Sequence, residues 1–233
     1  MQNELIMSNN VYWILFIGIA LLSWAVSALL ERRFKQYSKV SLPLTGKQVA
    51  EKMLRDNGIM DVKVTCVQGH LTDHYDPTNK TVNLSDSVYN EANVAAAAVA
   101  AHECGHAVQH EKAYAPLQMR SALVPVVSFS SKWVTWILLG GMLLVNTFPL
   151  LLEIGIALFA LTTLFAFVTL PVEVNASQRA VEWLRESGIT DRENTELASK
   201  ALHSAAYTYV VAALSSLATL IYYILVLMGG RRN

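Results

Sequence analysis

Five consecutive residues, His102-Glu103-Cys104-Gly105-His106, put two imidazoles and a carboxylate within little more than one helical turn. Residues four apart on a helix share a face and lie about 6 Å apart along its axis. The surrounding run, Ala92 to His110, is rich in alanine, the strongest helix former. His102 and His106 can therefore turn a ring nitrogen each toward one metal ion. Glu103, at the rim of the same face, can reach a metal-bound water without taking a coordination position. H-E-x-x-H on a helix predicts two zinc ligands and a general base from one segment, the equipment for metal-assisted hydrolysis. The plainer reading is a helix that happens to carry two histidines, and the alanine-rich helical context argues against it.

The elements that must position these groups are unusually apolar. Of 233 residues, 53% are hydrophobic, and the formal net charge is zero; the mean hydropathy is +0.35. A soluble domain is less apolar and more charged. Val11 to Leu30 and Tyr209 to Met228 are each 20 residues without a charge, and Trp133 to Val172 is 40 residues with Glu153 as its one charge. A bilayer core of about 30 Å needs about 20 helical residues. The long run therefore predicts a hairpin of two spans, turning within Asn146 to Glu153, and four transmembrane helices in all. Gly140-Gly141 suits close helix packing there.

Charge sets the orientation. Sixteen of the 18 Lys and Arg residues fall in Glu31 to Lys132 and Glu173 to Tyr207. The excess of positive charge on cytoplasmic segments places both stretches in the cytoplasm and the N-terminus outside. Arg231 and Arg232 run against this rule. The first span lacks a basic stretch before it, and its positive charges follow it, unlike a cleaved signal peptide. Cys66 and Cys104 then face a reducing compartment, where no disulfide is expected. The composition gives no sign of nucleic-acid binding. The expected organisation is a first transmembrane helix at 1–31 and a cytoplasmic catalytic part at 32–131. A transmembrane hairpin follows at 132–172, then cytoplasmic helices with the third ligand at 173–207, and a fourth transmembrane helix and tail at 208–233.

Local signals fill in the cytoplasmic part. Thr45-Gly46-Lys47-Gln48 reads as a capping box opening an amphipathic helix that closes at Asn57-Gly58. Val62 to Val67 alternates like a strand, Asp76-Pro77-Thr78-Asn79 is a turn, and Lys80 to Leu84 is a second strand. Ser85 to Ser87 offers a cap for the motif helix. Glu173 to Glu186 reads as a helix growing out of the third span and stopping at Gly188. Thr190-Asp191-Arg192-Glu193 is a second capping box, beginning a helix that merges into the fourth span. A small sheet beside such a motif helix could present an edge strand to an extended peptide, or could only complete a core.

A catalytic zinc takes three protein ligands and keeps a position for water. The third must come from the same side of the membrane. His70, His74, His203 and the cytoplasmic carboxylates and cysteines are candidates. His110 is about 12 Å from His102 along the helix, too far to share one ion with it. Cys104 points away from the histidine face. Glu173 stands out because Pro171-Val172-Glu173 lies where the third span meets the cytoplasm, at the start of a helix. A two-span hairpin after His106 returns the chain to the same face of the membrane. Arg179, His203 and Tyr207 are candidates for stabilising an oxyanion.

Three blocks of sequence resemble a known family. They are Leu71-Thr72-Asp73-His74-Tyr75-Asp76-Pro77, the run from Val99 to His110, and the run from Leu170 to Ala180. Together they resemble the YugP-like family of bacterial membrane-bound neutral zinc metallopeptidases over almost the whole chain. More distantly the chain is similar to the HtpX and prenyl-protein endopeptidase group. The resemblance implies a mainly α integral membrane protein, four transmembrane helices with a small α+β zincin-like cytoplasmic catalytic domain. It implies a gluzincin-like metalloendopeptidase with Zn2+ as cofactor, His102, His106 and Glu173 as metal ligands, and Glu103 as the catalytic base. In the wider group an aspartate four residues after the ligand glutamate commonly supports a zinc histidine. Here that position is Ser177, with Asn175 the nearest polar alternative.

The expected protein is thus a multi-pass cell-membrane protease, its active site facing the cytoplasm. Its partners are a protein or peptide substrate and the lipid bilayer, with no nucleic acid. The rival from another class is a non-catalytic membrane adaptor that keeps a structural zinc site. Glu103 separates the two, since a structural site has no use for a base.

Overall fold

The structure is a computed structural model that describes the backbone of residues 2–230 and the side chains of residues 13–229; Arg231 and Arg232 lie outside the described residues. It is mostly helical, with seven helices and one small sheet among the described residues. The chain divides into two compact units, residues 1–25, 119–170 and 208–233 in one, and residues 26–118 and 171–207 in the other.

The first unit is built from long apolar helices. Four helices among the described residues are long and apolar enough to cross a membrane: α1 (Gln2–Tyr37), α5 (Ala115–Leu143), α6 (Pro149–Glu186) and α7 (Arg192–Gly230). The 40-residue apolar run is split into two helices, with the break at residues 144–148, slightly before the expected Asn146 to Glu153; Pro149 already opens α6, a position where its missing N–H costs nothing. Helices α5 and α6 pack closely in this unit. A Cβ on Gly141 would lie 2.6 Å from Leu152 Cα, so only glycine admits the neighbouring backbone. Val134, Leu138 and Leu152 form the small core beside it.

The second unit holds every residue singled out for metal chemistry. Helix α2 (Gly46–Asp56) starts at the Thr45 capping box, with Gln48 N donating to Thr45 Oγ1 and Thr45 N donating to Gln48 Oε1. It ends at Asn57-Gly58, where Gly58 takes a φ of 74°. Strands β1 (Lys63–Val67), β2 (His74–Asp76) and β3 (Thr81–Ser85) form a sheet of order β1-β3-β2. β1 runs parallel to β3, and β2 antiparallel. The short strand β2 was not among the expected elements. Turn-forming residues crowd both of its ends, and three residues are too few for an alternation to register.

A single-turn helix, α3 (Asp86–Tyr89), precedes the motif helix α4 (Val94–Glu111). Ser85 makes no cap bond through its side chain; Asn93 caps α4 by accepting from Ala96 N at 2.9 Å. The cap expected at Ser85 to Ser87 therefore belongs to Asn93. Helix α4 is buried on nearly all sides; its alanines, at or near zero exposure, pack against α2, and the α6 backbone comes close at Gly105. Its apolar neighbours Val49, Met53, Val82, Leu84, Val88 and Leu184 complete one core.

Two further expectations shift. Helix α7 is capped by Asp191, whose Oδ1 accepts from Asn194 N at 2.7 Å, while Thr190 is buried and bonded to Leu184 O and Thr195. Glu173 lies in the interior of α6 rather than at a helix start. Pro171 sits inside that helix and removes one backbone donor without ending it.

Candidate metal centre

Helix α4 supplies one half of the centre and α6 the other. His102 and His106 are four residues apart on α4 and stand edge to face, their ring centroids 4.8 Å apart. The Glu173 carboxylate reaches between them from α6. Its Oε2 lies 3.2 Å from His102 Nε2 and 3.5 Å from His106 Nε2. Among the described residues, these three form the group of His, Cys, Asp or Glu side chains that could hold a metal ion, with their ligand atoms all within 4.8 Å of one another.

The approach of α6 depends on a glycine. A Cβ on Gly105 would lie 2.7 Å from Ala176 O and 3.1 Å from Ala176 Cα. Ala176, one turn beyond Glu173, is itself fully buried. The second-last position of the motif is thus glycine because the backbone of α6 lies against it.

Charge balance in the cluster favours a cation. Glu173 is 3% exposed and Glu103 is 8% exposed. Burial disfavours the charged form of His106, yet hydrogen bonding to Glu173, the nearby Glu103 carboxylate and Gln109 outweigh it and raise its pKa. The two carboxylates therefore favour positive charge at this spot. The donor set, two imidazole nitrogens and a carboxylate oxygen, suits zinc. Bonds of about 2 Å around a tetrahedral ion put neighbouring donors roughly 3.3 Å apart, and the 3.2 and 3.5 Å separations match that spacing. The residues present fit a zinc ion.

Glu103 differs from its neighbours. Its carboxylate makes no hydrogen bond or ion pair with the described residues, and its oxygens are not among the buried unpartnered atoms, so they reach solvent although the residue as a whole is 8% exposed. Cys104 points the other way, buried, its Sγ 3.5 Å from Ala50 O. Burial raises that thiol well above its ordinary pKa, with Glu103 adding to the effect.

The remaining histidines are occupied elsewhere. His70 packs its ring against Phe34, and His74 pairs with Thr72 O and Asn83. His110 meets the Tyr75 hydroxyl at 3.0 Å, and His203 bonds Ser199 O. Of the other polar candidates, Arg179 donates from Nε to Asn175 Oδ1 at 2.8 Å, and Tyr207 is exposed.

The other ring nitrogens of His102 and His106 also have partners. Ser177 Oγ, one turn after Glu173, lies 3.1 Å from His102 Nδ1. Gln109 Oε1 lies 3.0 Å from His106 Nδ1. Gln109 was given no role from sequence. The available signal was its spacing: three residues after His106, a long amide in a wall of alanines.

The profile of the family described as "Putative neutral zinc metallopeptidase" matches residues 12–228. The chain belongs to this family. It is 41% identical over 222 residues to the protein named "Putative membrane protease YugP" of Bacillus subtilis (strain 168), covering 93% of this chain and 97% of that protein. No solved structure matches it. The family description speaks of zinc, and the three side chains that converge here are of the kind that binds it. The likeness spans the apolar helices as well as the motif, so it covers the membrane part and the centre together.

Proposed function

We propose that this protein is a membrane-bound zinc endopeptidase of the gluzincin type, its catalytic part facing the cytoplasm. The observation that carries the reading is the convergence of His102 Nε2, His106 Nε2 and Glu173 Oε2 beside an unengaged Glu103. His102, His106 and Glu173 would hold the zinc. When bound, zinc supplies Lewis-acid chemistry, acidifying a coordinated water toward a pKa of about 7 and polarising the scissile carbonyl. The Glu103 carboxylate accepts the proton of the attacking water and delivers it to the leaving amine nitrogen. Its lack of a structural partner supports this role over a purely structural metal site. Ser177 keeps the His102 ring in place.

The cytoplasmic orientation rests on the lysines and arginines of Glu31 to Lys132 and Glu173 to Tyr207. On this reading residues 32–131 and 173–207 form a small α+β zincin-like domain, and 1–31, 132–172 and 208–233 the transmembrane part. Protein or peptide is the substrate class.

The test is metal content and peptide cleavage in purified protein. Wild type should carry about one zinc per chain. Glu103→Gln should keep the metal and lose cleavage, and His102→Ala should lose both. Cleavage by Glu103→Gln at the wild-type rate would refute the hydrolytic mechanism.

A further inference from the structure

Gln109 is fully buried and spends both ends of its amide on different helices. Nε2 donates to Val172 O at 2.8 Å and to Asn175 Oδ1 at 3.1 Å, both on α6. Oε1 faces His106 Nδ1 at 3.0 Å, on α4. The two ends are not interchangeable. A backbone carbonyl such as Val172 O only accepts, so it selects the NH2 end. Oε1 is then what remains for His106, and it too only accepts. In neutral His106 the proton must therefore sit on Nδ1, which leaves the lone pair on Nε2. Nε2 is the nitrogen that faces Glu173 Oε2.

The anchor points on α6 add a second constraint. Val172 immediately precedes Glu173, so one amide ties His106 to the backbone beside the third metal-facing group. Arg179 Nε donates to Asn175 Oδ1 at 2.8 Å and helps hold that oxygen toward Gln109. His102 has no equivalent constraint. Its partner Ser177 is a hydroxyl, which can donate or accept and so dictates no tautomer.

We infer that Gln109 is a positioning residue: held by its bonds to α6, its amide oxygen presents His106 through Nε2. This rests on the metal-centre reading above. Its effect is on metal affinity, with no contact to the substrate required.

The experiment is zinc affinity of the full-length protein in detergent, stripped of metal and titrated against a competing chelating dye. Helix content and thermal unfolding of the metal-free protein are recorded alongside. Gln109→Leu should fold and lose about 10–100-fold in zinc affinity, the usual effect of removing such a partner. Gln109→Glu should retain clearly more affinity than Gln109→Leu, because its carboxyl still accepts the Nδ1 proton although it loses the amide donor to Val172 O. If Gln109→Leu fails to fold, Gln109→Met, unbranched and of similar length, replaces it with the same expectation. Wild-type affinity in the Leu or Met variant would overturn the role. So would a Glu variant as weak as the Leu variant, since the bonds to α6 would then matter and the bond to His106 would not. A wild-type protein that binds no zinc would remove the metal centre itself, whereas zinc-binding wild type with indifferent Gln109 variants removes only the role of Gln109.

Discussion

Glu103 and Glu173 lie in the same cluster, 8% and 3% exposed, and their surroundings differ. Glu173 is held by two histidine nitrogens, whereas the Glu103 carboxylate makes no hydrogen bond or ion pair with a described residue. A helix-terminus effect on Glu173, worth about 0.3–1 kcal/mol, is removed as an explanation because the residue lies inside α6. Glu173→Ala should therefore abolish cleavage and weaken zinc retention by well over tenfold, as for a lost ligand or its partner. Asp191→Ala removes a true N-cap, the bond to Asn194, and should leave zinc content unchanged. Metal analysis of both variants checks this. Full zinc occupancy in Glu173→Ala would send the search to other carboxylates. The juxtaposition of His102 and His106 on α4 was legible in the sequence because one helical turn fixes them relative to one another. Glu173 was legible only through a topological argument and a family likeness, being 67 positions beyond His106. Gln109 escaped because its acceptors, Val172 O and Asn175, are as distant in sequence.

At the scale of elements, the centre exists only if α4 and α6 stay in contact, and Gly105 is where that contact is tightest. Alanine in place of glycine normally favours a helix by about 1 kcal/mol. Here the added methyl would meet Ala176 O at 2.7 Å, and a backbone atom of a packed helix cannot move aside cheaply. Overpacking of this kind costs about 1–3 kcal/mol, so the strain should outweigh the propensity gain. Gly105→Ala is expected to lower the melting temperature and weaken zinc binding, because the backbone it displaces carries Glu173 one turn away. A variant that melts higher than wild type with zinc affinity intact would mean the helices are not in this contact. The elements themselves were mostly legible. Thr45 and Gln48 announced α2, Gly58 and Gly188 marked helix ends, and the alternation of Val62 to Val67 announced β1. The misplacements share a cause. Several residues able to cap stood near each helix start, and tertiary contacts chose among them. Buried Thr190 turned to Leu184 O, leaving Asp191 to cap α7, and Ser85 bonded Asp73, leaving Asn93 to cap α4.

For the whole molecule, the distance between His106 and Glu173 is a statement about topology. Two apolar helices, the α5 and α6 segments of the long run, lie between them in the chain, yet their side chains come within 3.5 Å. If both helices span the bilayer, an even number of crossings separates the two residues, and both stand on one side. The lysines and arginines choose which side. Single cysteines introduced near Lys63 and near Glu196, in a background without Cys66 and Cys104, should be shielded from a membrane-impermeant thiol reagent in intact cells. One near Asn3 should label. After the membrane is permeabilised, the first two should label as well, because Lys63 and Glu196 are exposed to solvent or partly so. Labelling of these two sites from outside intact cells would place the metal centre across the membrane and leave its chemistry unchanged. Labelling of only one of the two from outside would break the even-crossing requirement, and the contact between His106 and Glu173 could not then exist.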